Sequence, residues 1–263
     1  PEQTEEGRAM RTGVWRDALT GFRYLRTRRT LFSVALYVAL INFLIGGTFA
    51  LNTPYLLTIT GSEAMLGTLL GVMSAGAIVG GVIMSAWGGT RPRIHTIMPG
   101  IALSGACLAL YGLGRSPLAL GAALFLLELP LPMVNASFMS IMQTKVPPDL
   151  QGRVFAALSQ ISLGLMPVAF ALIGPLSDRV FEPAVGGPNW DLVAPLVGSE
   201  PGAGMGLIML IAGSLMLVLT AVVYSRRSVR EMEANLPDYV AIARSDEPPS
   251  PPEEFGAELA VAD

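Results

Sequence analysis

Charge is what this sequence lacks. Residues 30–62, 64–90, 94–114, 154–177 and 201–225 contain no Asp, Glu, Lys or Arg, and residues 116–144 contain only Glu128. Charged residues make up 14% of the 263, where water-soluble domains carry about 25%. A helix needs roughly 20 apolar residues to cross the hydrocarbon core of a bilayer. Six such runs exclude a soluble domain and predict an all-α membrane protein, a six-transmembrane-helix bundle over residues 31–225. Residues 1–30 read as a cytoplasmic linker and 226–263 as a largely disordered cytoplasmic tail, the latter holding Pro248, Pro249, Pro251 and Pro252 among acids.

Cysteine and histidine are almost as scarce. The one cysteine, Cys107, lies within an apolar run, which excludes a disulfide framework. The one histidine, His95, stands at the start of another run. No His-Glu-x-x-His, Gly-x-Ser-x-Gly or pair of intramembrane aspartates occurs, so neither a metal nor a nucleophile site has parts to be built from. The expectation is a protein that is not an enzyme and needs no cofactor or metal. With the basic residues assigned to membrane faces no basic patch is left, so nucleic acid is not an expected partner and the lipid bilayer is.

The basic residues that are present set an orientation. Of 17 Lys and Arg, only Arg115 and Arg179 fall in the odd-numbered gaps between runs. The positive-inside tendency then places both termini in the cytoplasm. Ahead of the first run, Trp15, Leu19 and Phe22 recur at helical spacing among arginines, a pattern for an amphipathic helix on the cytoplasmic membrane surface or for a solvated linker helix. The chain opens on Pro1 with no signal-peptide pattern, and the polar opening is read as a linker within a longer protein.

Small residues recur every fourth position in the second run, as Gly67, Gly71 and Ala75 and as Ala77, Gly81, Ser85 and Gly89. The third run repeats the habit with Gly100 and Ser104 and with Gly105 and Ala109. Such stripes let helix backbones approach closely where no hydrophobic effect drives association, and they predict a second helix packed on both sides. The fourth and fifth runs carry Pro130 and Pro132, and Pro167 and Pro175, which bend spanning helices and suit the walls of a cavity. The longest gap, 181–202, contains Trp190, a candidate for the membrane interface. It ends in Gly202-Ala-Gly204-Met-Gly206, which resembles a phosphate cradle only superficially, since no strand precedes it and no Lys-Ser/Thr follows.

Glu128 is the strongest functional candidate, as a proton carrier or cation anchor, with a neutral acid hydrogen-bonded to a neighbouring helix as the alternative. An ionised carboxylate near the bilayer midplane costs several kcal/mol, so it must be protonated, paired or set in a wet cavity. A helical wheel puts Pro132, Asn135 and Met139 on its face; comparable polar stripes run through Asn42, Gly46, Phe49 and Thr53 on the first span and through Gln160, Gly164 and Pro167 on the fifth. Asn42, Phe49, Thr53, Asn135, Met139 and Gln160 are therefore candidate cavity-lining residues, with interhelical hydrogen bonding as the alternative role for the amides.

Six spans behind an Arg-rich cytoplasmic segment resemble the C-terminal half of a major facilitator superfamily transporter, and more narrowly its branch of enterobactin and macrolide exporters. The segment Gly21-Phe22-Arg23-Tyr24-Leu25-Arg26 resembles that family's lead into span seven. The segment Val146-Pro147-Pro148-Asp149-Leu150-Gln151-Gly152-Arg153-Val154 resembles its cytoplasmic loop between spans ten and eleven, with Pro147, Asp149, Gly152 and Arg153 as the motif positions. Residues 81–93 resemble the second copy of the superfamily's loop signature, without its Asp. The resemblance implies spans seven to twelve of a bacterial plasma-membrane protein whose missing N-terminal six-span half supplies the other side of a midplane site. It implies proton-coupled export of an amphipathic small molecule (a siderophore, macrolide or drug-like compound), with Glu128 as the midplane acid. The alternative is a six-span scaffold or half-size membrane partner that transports nothing, distinguished by whether six further spans lie upstream. An ATP-driven exporter is disfavoured because no Walker motif is present.

Overall fold

The computed structural model of the protein describes residues 29–146 and 148–235. Among them all regular structure is helical, and six stretches are long and apolar enough to cross a membrane, one for each charge-poor run. The helix expected around Trp15, Leu19 and Phe22, the motif residue Pro147 and the tail beyond residue 235 lie outside the described residues, as does the side chain of Asp149.

The first three spans are α1 (Arg29–Thr60), α2 (Glu63–Trp87) and α3 (Ile94–Leu113). Helix α2 starts where the Ser62 hydroxyl accepts from the Met65 N–H, and stops at Gly88, whose φ of 75° suits only a residue without a side chain. The fourth span comes in two pieces, α4 (Pro117–Glu128) and α5 (Leu131–Lys145). Neither Pro130 nor Pro132 has an N–H to offer the carbonyls of Leu126 and Glu128, so the ladder fails there. The chain turns through Leu129 and Pro130 and restarts with Pro132 in the first turn of α5. Beside the break, Ser104 of α3 donates to the Leu127 carbonyl at 2.8 Å. Leu129 and Pro130 keep right-handed helical dihedrals, so the two pieces form one span that has lost bonds of its ladder at the prolines.

The fifth span is α6 (Pro148–Leu176), which carries Pro167 and Pro175 and passes into a π-helical turn, Ser177–Phe181. Short turns over Glu182–Ala184, Trp190–Leu192 and Ala194–Val197 lead to the last span, α7 (Ala203–Ser225). The Glu182 carboxylate accepts from the backbone N–H groups of Gly202 and Met205 at 3.3 and 2.9 Å, which caps α7. A carboxylate therefore holds the place where a phosphate would sit, and the glycines serve packing instead: a Cβ on Gly204 would strike the backbone of Phe181 and Glu182. Trp190 does not stand at an interface. It is 4% exposed, packs with Val197 and Ala203, and donates its indole N–H to the Gly198 carbonyl at 2.8 Å.

Packing follows a path from α6 to α1, α7, α3, α4/α5 and α2, closed by lighter contact between α1 and α2. The tightest seam joins α3 and α7. A Cβ on Gly213 would fall on the backbone of Gly105 and Ala109, and one on Gly112 or Gly206 would fall on the other's carbonyl. On α2 the glycines that pack are Gly76 and Gly80, against the carbonyls of Phe125 and Leu129. Gly67, Gly71 and Gly81 have open space beside them, so in this chain α2 packs along a line through Gly76 and Gly80 that neither expected stripe contains. On α1, Gly46 and Gly47 admit Met166 and Ala169 of α6.

Candidate functional site

Helices α1, α2, α3, α4 and α7 line a half-open cleft of about 30 Å³, room for about one water molecule, with the half-exposed Phe49 on its wall. Its walls are chiefly apolar: Ile45, Phe49, Met73, Leu108, Leu124, Leu127 and Met216, with Thr48, Asn52, Ser104, Tyr111 and Glu128 as the polar members. The cleft sits at the break in the fourth span, because Glu128 is the last residue of α4. The half-buried Glu128 carboxyl makes no hydrogen bond or ion pair among the described residues.

The other polar groups are committed. The Thr48 hydroxyl donates back to the carbonyls of Leu44 and Ile45, each at 3.0 Å, and the Ser104 hydroxyl is spent on Leu127. The buried Tyr111 hydroxyl donates to the Asn52 carbonyl oxygen, while the Asn52 amide nitrogen meets only the Met73 sulfur at 3.8 Å. Tyr55 backs this pair: its ring packs edge-on against Tyr111 at 5.2 Å between centroids, and its hydroxyl lies 3.1–3.3 Å from the carbonyls of Tyr111, Gly112 and Gly114. Those carbonyls belong to the last turn of α3, which has no further helix to bond them.

Of the residues singled out in the sequence, Glu128 and Phe49 are brought together in this cleft. Asn42, Thr53, Asn135, Met139 and Gln160 are not among its walls and stand exposed. The wheel that put Asn135 and Met139 on the face of Glu128 assumed one straight helix, and the prolines lie between them and Glu128. Asn52 and Tyr111 were missed. A signal for Asn52 existed: Thr48, Asn52 and Tyr55 fall at helical spacing on one face of α1 and all three are buried.

The ends of the bundle also carry polar clusters. Glu233 accepts from the Ile94 N–H at 2.9 Å, Lys145 donates to the Glu233 carbonyl, and His95 meets the Tyr224 hydroxyl at 3.0 Å. Gln151 of the loop motif donates to the carbonyls of Gln143 and Val146, tying α5 to α6, while Gly152 and Arg153 are exposed. Arg115 lies at the opposite end against Gly198. Among the described residues no three His, Cys, Asp or Glu side chains are grouped to hold a metal ion.

The family model described as Major Facilitator Superfamily matches residues 1–171 of the chain. No curated protein and no solved structure matches it.

Proposed function

The chain belongs to the Major Facilitator Superfamily, a multi-pass membrane family of transporters, and from that premise we propose that it forms one half of a twelve-span, proton-coupled exporter of an amphipathic small molecule. The observation that carries this reading is the Glu128 carboxyl, unpartnered among the described residues, beside the prolines of a spanning helix and in a cleft whose other walls are chiefly apolar. A carboxyl in such a place is costly to ionise and free to exchange a proton. It serves as the proton-coupling group at the wall of the central cavity, which takes the substrate's hydrocarbon, while the small cleft admits one polar group of it. Asn42, Thr53, Asn135, Met139 and Gln160, exposed on this half, face the central cavity that the second half completes. In alternating access the two halves rock about that midplane site. Both termini lie in the cytoplasm of a bacterial cell, a reading supported by the gathering of Lys145 with the ends of α3 and α7, opposite Arg115.

In the full-length protein, Glu128→Gln preserves size and removes titration. It inserts normally, loses efflux driven by a pH gradient, and retains more of its counterflow exchange, which moves no net proton. Wild-type rates with unchanged pH dependence in Glu128→Gln make Glu128 a packing residue and place coupling elsewhere. Orientation is checked separately in a Cys107→Ala background. A cysteine at Asn189 reacts with an impermeant maleimide from outside and one at Ser228 does not; the reverse pattern overturns the topology.

A further inference from the structure

The cleft's donors and acceptors can be counted one by one, and the count says more about its ligand than apolarity alone. The hydroxyl hydrogens of Thr48, Ser104 and Tyr111 are all spent, on the backbone of their own or a neighbouring helix and on Asn52. Asn52 is left with its amide N–H groups, whose one partner is a thioether sulfur, a weak acceptor. The orientation of that amide is fixed by its neighbour. The Tyr111 hydroxyl, buried on α3, has Asn52 as its acceptor, so turning the amide over would strand the hydroxyl's hydrogen and set the Asn52 oxygen against a sulfur that has no hydrogen to give. Tyr55 holds the Tyr111 ring in place from the same helix that carries Asn52.

We propose that Asn52 is the specificity-determining donor of the cleft, with Tyr111 as its positioning residue: by taking the Asn52 carbonyl oxygen, Tyr111 presents the amide N–H groups to a carbonyl or ether oxygen on an otherwise apolar substrate. This rests on the reading of the cleft as a transport site and narrows it. A ligand with one buried acceptor among hydrocarbon fits, since the Asn52 amide supplies N–H donors held in position by Tyr111, beside the Glu128 carboxyl.

The test uses two phosphonium cations of matched shape, (4-acetylbenzyl)triphenylphosphonium and (4-isopropylbenzyl)triphenylphosphonium, which differ in one carbonyl. Efflux is followed from vesicles containing the full-length protein. The unaltered protein exports the acetyl probe with a KM roughly five- to tenfold below that of the isopropyl probe, the range expected for one hydrogen bond. In Asn52→Leu the two KM values converge. In Tyr111→Phe the preference shrinks without vanishing, because the amide is then free to turn; a purely structural role for Tyr111 moves both probes by the same factor. Persistence of the full preference in Asn52→Leu, or parallel shifts for both probes in the two variants, overturns the assignment. Failure of the unaltered protein to export either probe counts against the transport reading, and equal affinity of the two probes for the same protein in nanodiscs then overturns the Asn52 assignment as well.

Discussion

Helices α3 and α7 at the centre of the packing path, and α2 and α6 at its two ends, are apolar spans held in different ways. In the most apolar window of α3, 61% of residues are buried; in those of the second and fifth spans the shares are 17% and 13%. The α3–α7 seam is made by glycines that bring backbone against backbone, and Tyr37 of α1 reinforces α7 by a 2.7 Å hydrogen bond to Thr220. Helix α2 is pinned along one line, through Gly76 and Gly80, and turns Gly67, Gly71 and Gly81 outward. In lipid the hydrocarbon offers no reward for hiding leucine, so close packing and hydrogen bonds decide how firmly a helix is held. The comparison separates a closely packed spine from two spans whose surfaces are largely exposed.

The largest effect is expected on the spine. A leucine at Gly213 must displace the backbone of Gly105 and Ala109, costing roughly 3 kcal/mol or more. Gly213→Leu should therefore yield no monodisperse chain on size-exclusion chromatography in detergent. An intermediate effect is expected where α6 is joined to α7. Glu182→Ala removes the carboxylate cap from Gly202 and Met205 and should cost about 1–2 kcal/mol, read as a lower thermal unfolding midpoint of the purified chain. The smallest is expected on α2: Gly71→Leu meets open space and should shift stability by no more than about 0.5 kcal/mol. Equal losses for Gly71→Leu and Gly213→Leu would dissolve the distinction between the two regions. A Gly71→Leu that is silent in this chain yet impairs transport by the full-length protein would sharpen it, by marking α2 as a surface used by the other half.

These contrasts also show which levels of organisation a linear reading reaches. The number and extent of spans follow from the energetic cost of charge in hydrocarbon, a rule applied residue by residue, and the six charge-poor runs coincide with the six long apolar helices. Glu128 was legible for the same reason. Which glycines meet a neighbour was not legible, because Gly67-x-x-x-Gly71 and Gly76-x-x-x-Gly80 have the same spacing and only the position of α4 tells them apart. The cleft was half legible. Phe49 was found on a polar stripe, but the stripe followed from Asn42 rather than from Asn52, since the choice between two faces of α1 depends on the placement of Tyr111, 59 residues away. The α7 cap supplied by Glu182 lies 20 residues from Gly202 across an irregular loop, beyond any local capping pattern.

The glycine seam between α3 and α7 has a consequence for how the protein is made. A ribosome releases spans one after another, and each enters the bilayer before its later neighbours exist. The seam pairs residues around 105–112 with residues around 206–213, so α3 must reside in the membrane while two further spans are synthesised before its closest companion arrives. Until then it is sheltered by α4 and α5, which follow it directly and pack on it. Completion of the bundle is therefore a late event in biosynthesis, set by the emergence of α7, and a nascent chain arrested before residue 203 should remain susceptible to membrane quality-control proteases that the finished chain resists.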